Sequence, residues 1–166
     1  MTSAPVSAAA YRRMSFPGPD REFVHGELIE RAMPNKLHAS IQAALCVFFG
    51  QLWRMGRLAI YTEMRLQLGD NLYRIPDFCI YKSAPEGDIP STPPLLAVEI
   101  ASPDDKFSET LRKLEEYRRF GVEHIWHIDP EAKRLYRFDS DGLHPVEQLN
   151  LPTYNFTLSL ADLDLA

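Results

Sequence analysis

The chain has 166 residues, of which 45% are hydrophobic and 25% charged, the usage of one globular domain with room for a real core. No apolar run approaches the ~18 residues of a membrane span, and MTSAPVSAAAYRRMS lacks the continuous apolar stretch of a secretory signal, so a cytoplasmic address is expected. A formal net charge of -5 excludes a protein that coats nucleic acid through bulk basic charge, while leaving room for a local basic groove.

Residues 1–20, rich in Ala, Ser and Pro and ending in FPGPD, read as a tail or irregular lead-in, and residues 21–166 as a single domain. FVHGELIER alternates loosely and breaks at Met33, Pro34 and Asn35, which predicts a strand and a turn. Between Lys36 and Met55 the apolar positions Ile41, Leu45, Phe48, Leu52 and Met55 step by four and three, the period of one helix face, with Gly56 as a stop. LAIYTEMRLQL and NLYRIPDFCIY follow as two strands of a hairpin around Gly69, Asp70 and Asn71. Cys46 and Cys79 lie in apolar runs without zinc-type spacing and read as buried free thiols.

Lys82 to Pro94 carries four prolines and should be an exposed loop. LLAVEIA after it suits a strand buried on both faces, as in sheets covered by helices. SPDDKFSETLRKLEEYRRFG has acids in its first turn, bases in its last and a closing Gly, so it predicts a second helix. Phe107, Leu111, Leu114 and Tyr117 form its inner stripe. HIWHID and RLYRF read as two further strands around Pro130 to Lys133, and SLADL as a short closing helix. Trp53 and Trp126 are most simply core aromatics.

Glu99 is the oddest residue, because Leu95 to Ala101 are otherwise all apolar and an isolated buried carboxylate costs several kcal/mol or shifts its pKa. Asp77 is a second acid inside an apolar strand, between Pro76 and Phe78. If their strands are neighbours, roughly 4.8 Å apart, both carboxylates can reach one Mg2+ or Mn2+ ion. Such a site suits phosphodiester cleavage, in which a lysine would complete the set. The spacing Glu-x-Lys would place it at position 101, which is Ala101.

Simpler readings stand beside these. Asp77 reads as a turn or capping acid, and Glu99 as a buried partner of Arg74 or Arg65. Lys113 and Glu109 read from periodicity alone as a surface ion pair, His38 as a core-edge histidine, and Glu27 as a solvated strand residue.

HGELIE with His38 after it, the PD of RIPDFCIY, LLAVEIASP, KLEEYRRFGVEHIWHIDP and SLADL occur in one order from Phe23 onward. Together they resemble the Uma-type (Uma-two) family of restriction-endonuclease-like proteins within the PD-(D/E)xK nuclease superfamily. The resemblance implies a restriction-endonuclease-like α/β fold with a mixed central sheet flanked by helices. It implies Asp77 and Glu99 as catalytic metal ligands, Lys113 as the displaced lysine, and Glu109, Glu27 and His38 as supporting residues. Glu109, where the family pattern leads one to expect Asp, serves either as an outer ligand or as a partner for Lys113. The expected function is Mg2+- or Mn2+-dependent hydrolysis of DNA by an endonuclease, with a homodimer suited to a duplex substrate. The alternative is an inactive nuclease fold serving DNA binding or protein interaction.

Overall fold

The computed structural model describes residues 6–165. Residues 1–5 of the expected lead-in lie outside that span. The rest of the lead-in contains α1 (Ala8–Tyr11), whose start is capped by the Ser7 hydroxyl oxygen accepting from Ala10 N. Tyr11 is fully buried against Phe23 and Tyr73, so this segment is packed onto the domain.

FVHGELIER, predicted as one strand, folds as two: β1 (Glu22–Val24) and β2 (Glu27–Ile29). Between them His25 and Gly26 both take positive φ, 50° and 97°, the conformation a two-residue hairpin turn requires. Next comes α2 (Lys36–Arg54), opened by Asn35, whose side chain accepts from His38 N. Its buried seam is His38, Ile41, Leu45, Phe49 and Leu52. Phe48 is only partly buried, and Met55, at the cap beyond the last turn, is exposed.

The predicted two-strand hairpin is four strands: β3 (Ala59–Thr62), β4 (Leu66–Gly69), β5 (Leu72–Arg74) and β6 (Phe78–Tyr81). Only β4 and β5 form the hairpin; β3 and β6 pair in another sheet. The breaks have physical causes. Glu63 takes a left-handed φ of 52°, and Pro76 has no N–H to continue a ladder. LLAVEIA forms β7 (Leu96–Ile100), followed by α3 (Phe107–Phe120), β8 (His124–Asp129), β9 (Arg134–Asp139), β10 (Gly142–Val146), β11 (Leu149–Leu151) and β12 (Phe156–Leu158). SLADL ends in a 3-10 turn at Ala161–Leu163.

The central sheet has six strands in the order β10-β9-β8-β7-β6-β3. It is mixed: β7 and β8 run parallel, joined through α3, while every other neighbouring pair is antiparallel. A four-stranded sheet, β2-β1-β5-β4, stands beside it, and β11 and β12 form a small ribbon. Alternation along β7 separates the two layers of the core. Leu96, Val98 and Ile100 join the seam of α2, whereas Ala97 joins Leu114 and Tyr117 of α3. Each fully buried Leu, Ile or Phe in these layers contributes about 1.5–3 kcal/mol relative to exposure.

Two aromatic expectations and one aliphatic one differ from what is found. Trp126 is buried, but Trp53 is 57% exposed on the outer side of α2. On α3 the buried pair is Leu114 and Tyr117, while Phe107 at the first helical position faces solvent and Leu111 is half-buried. Both cysteines are free; Cys79 is buried and Cys46 partly exposed. Among the described residues no helix is long and apolar enough to cross a membrane.

Candidate active site

Asp77 occupies the break that Pro76 makes between β5 and β6. Phe78 pairs with Val98, so continuing the register by one residue sets Asp77 opposite Glu99. The Asp77 carboxylate ties three elements together. Oδ2 accepts from Ile100 N at 2.8 Å and lies 3.2 Å from His38 Nε2 of α2, while Oδ1 accepts from Arg31 Nη2 at 2.8 Å. Gln42 of α2 donates to the Asp77 main-chain oxygen at 2.9 Å, which fixes the backbone as well.

Glu99 points to the α3 side of the sheet. Tyr117 OH donates to its Oε1 at 2.7 Å and Lys113 Nζ donates to its Oε2 at 2.8 Å. Lys113 and Tyr117 are four residues apart and therefore share one helix face. The same ammonium lies 2.8 Å from Glu22 Oε1 and donates to Ile75 O at 3.1 Å, so it is held between two acids and a carbonyl. Glu22 in turn accepts from Ile75 N at 2.9 Å and pairs with Arg74 Nη1 at 2.7 Å. Arg74 Nε donates to Glu116 of α3 at 2.6 Å.

Burial and these neighbours divide the protonation behaviour of the acids. Burial pushes Glu99 up to about 7, and the negative charges of Asp77 and Glu22 push the same way against the pull of Lys113. For Asp77 burial also pushes upward, but the His38 hydrogen bond and the charges of Lys113 and Arg31 outweigh it and hold the carboxyl below its ordinary value. Glu22 is likewise held low, its burial overcome by Lys113 and Arg74. Burial would lower Lys113, yet Glu22, Glu99 and Asp77 keep it above the usual lysine value, a firmly charged amine. Burial works against the His38 imidazolium, but the hydrogen bond to Asp77 and the charges of Asp77 and Glu63 together outweigh it and raise the group above its ordinary value.

Asp77, Glu99, Lys113 and His38 all line a single cleft of about 620 Å³, with Glu22, Arg31, Glu63, Glu109 and His127 on its walls. Of the residues singled out from the sequence, Glu27 is the exception. It begins β2, is exposed, and does not line the cleft. Glu109 stands at the wall without an ion pair to Lys113, whose ammonium is turned to Glu22 and Glu99. Neither arginine considered as a partner for Glu99 serves it. Arg74 is bound to Glu22 and Glu116, and Arg65 to Asp20 and to the carbonyls of Tyr11 and Met14. Glu22 and Arg31 escaped the sequence reading. The signal for Glu22 was only its place in the alternation of EFV, which becomes informative once β1 is known to pair with β5 and to set it beside Arg74.

Among the described residues no group of three or more His, Cys, Asp and Glu side chains converges as a cage for a metal. Two hard carboxylates are what the cleft offers. A carboxylate has roughly four lone-pair directions. Asp77 uses three of them and Glu99 two, so acceptor capacity remains on both. That donor set fits Mg2+ or Mn2+, which are held by one or two carboxylates and complete their shells with water and phosphate oxygens. It does not fit a closed zinc site, which needs four protein ligands.

Comparison with known proteins agrees with this architecture. A crystal structure from Anabaena variabilis ATCC 29413, described as a putative nuclease belonging to DUF820, superposes with a TM-score of 0.84. It is 20% identical, and the match covers 96% of this chain and 97% of that one, which shows a shared fold. No curated protein matches the chain. The model of the family Uma2, described as "Putative restriction endonuclease", matches residues 8–164. The chain belongs to the Uma2 family.

Proposed function

We propose that the protein is a DNA endonuclease that depends on Mg2+ or Mn2+, with Asp77 and Glu99 as metal ligands and Lys113 as the catalytic amine. The observation that carries this reading is the convergence of two buried acids, Glu99 on β7 and Asp77 just before β6, and one helix-borne ammonium in a single cleft, with Lys113 Nζ 2.8 Å from Glu99. A divalent cation bound there would lower the pKa of a water and offset charge developing on a phosphate. Asp77, kept ionised by His38, Lys113 and Arg31, presents a permanent negative charge to such an ion. Tyr117 and Lys113 fix the rotamer of Glu99 by donating to its two oxygens. Lys113 is positively charged at neutral pH and held from three sides, so it can counter negative charge on a pentavalent phosphorus without reorganising. Glu22 is the counter-charge that keeps the amine in place, and Glu109 stands at the cleft wall as an outer polar residue. A homodimer would bring two such clefts to the two strands of a duplex.

The test is cleavage of supercoiled plasmid with Mg2+ or Mn2+ by the wild type and by Asp77→Ala. Nicking or linearisation is expected from the wild type, reduced at least about a hundredfold in the variant. Equal cleavage by both refutes the assignment.

A further inference from the structure

Arg31 follows β2 in the segment leading to α2, and its guanidinium lies on Asp77. Nη2 is 2.8 Å from Oδ1, Nη1 is 3.5 Å from Glu63 Oε2, and the side chain is only 12% exposed. In the reading above it enters only as one of three cationic neighbours that keep Asp77 ionised. Asp77 does not depend on Arg31 for its position, because Ile100 N and His38 hold the other carboxylate oxygen and Gln42 holds the main chain.

A guanidinium is permanently charged and takes one of the two lone pairs of Oδ1, leaving a cation only the other. A divalent ion bound to that oxygen would also meet a full positive charge at hydrogen-bonding distance, an interaction that low dielectric strengthens. The ion and the guanidinium therefore compete for Oδ1, chiefly through the repulsion of their charges. Glu63 gives the displaced guanidinium somewhere to go: it already faces Nη1, and its side chain is 37% exposed, with room to close the remaining distance.

We infer that Arg31 is a built-in counter-ion of Asp77 that exchanges with the divalent cation, passing to Glu63 as the ion binds, and so sets the metal affinity of the cleft. The inference rests on the metal-dependent reading above. It makes Arg31 a determinant of affinity rather than a catalytic residue.

Mn2+ titrated calorimetrically into the full chain tests it, with wild type, Arg31→Met and Arg31→Gln compared. Arg119→Met, which removes an exposed charge on the last turn of α3, controls for net charge. Both Arg31 variants are expected to bind Mn2+ at least about tenfold more tightly than the wild type, and Arg119→Met within about twofold. Arg31→Gln retains a donor for Asp77, and circular dichroism checks that each variant is folded. In the wild type, the Arg31 Nε–H resonance should shift on addition of Mg2+, a readout that needs no variant. Wild-type binding with no gain in the Arg31 variants, or an Arg31 resonance unmoved by saturating Mg2+, overturns the exchange alone. Absence of Mn2+ binding in every protein overturns the exchange together with the metal-dependent reading.

Discussion

Replacing Glu99 by Gln should change how stability depends on pH. Burial and the nearby charges of Asp77 and Glu22 raise its carboxyl from 4.5 to about 7 in the folded protein. The folded state therefore binds the proton more tightly than the unfolded chain does. Stability is unaffected by Glu99 below the unfolded value, falls as pH rises through the interval from 4.5 to about 7, and then levels off. At 1.36 kcal/mol per tenfold change, the full loss is about 3 kcal/mol. Urea unfolding of wild type and Glu99→Gln at steps from pH 4.5 to pH 8.5, with chelator present, isolates this contribution as the difference between the two curves. His38, raised above its ordinary value by Asp77, remains in both proteins. Gln also loses one acceptor for Lys113 or Tyr117, which offsets the two curves without giving them a slope. The variant is expected to gain about 3 kcal/mol on the wild type between the acid and alkaline limits. Parallel curves would refute the claim that Glu99 is the strained acid of the cleft.

Lys113→Met removes the cation shared by Glu22 and Glu99 and leaves two buried acids without it, so unfolding at pH 8 should become easier by about 3–5 kcal/mol. Denaturant titration checks this, and the penalty should shrink near pH 5, where Glu99 is protonated. Gly121 ends α3 at φ 102°, where its N–H reaches the carbonyls of Tyr117 and Arg118. Gly121→Ala should lower stability by about 1–2 kcal/mol through the left-handed backbone alone, seen as a lower thermal midpoint with unchanged circular dichroism.

The two long helices were readable because their signals are local, whereas α1 fell in a stretch read as a tail. The break at Met33, Pro34 and Asn35 precedes α2, Gly121 stops α3, and the seam Ile41, Leu45 and Leu52 repeats with the helix. The acids Asp77 and Glu99 announced themselves by sitting in apolar strands, and the structure brings them into one cleft with Lys113. What stayed hidden depends on distant pairing. Glu22 and Arg74 meet only because β1 pairs with β5, and the split of one apparent hairpin across two sheets turns on the conformation of Glu63 and on Pro76. Phe49 replaces Phe48 in the buried seam because adjacent aromatics look alike to a periodicity of three and four, and only packing chooses between them. Glu27 matched a family position but faces solvent at the start of β2, beside the tight turn of His25 and Gly26, while the other end of that strand reaches the cleft at Ile29.

The passage of the chain from one sheet to the other at Pro76 has a mechanical consequence. Glu22 and Arg74 belong to the small sheet, Glu99 belongs to the large one, and Lys113 spans the joint from the helix above. The cleft is thus also the weld between two slabs, and loosening the N-terminal hairpin would misalign the charges before it unravelled any strand of the large sheet. Rigidity of the seam and competence of the cleft are one property of this architecture, measurable together by amide exchange at Ile75 and Ile100, whose N–H groups are bonded to Glu22 and Asp77 on either side of the joint.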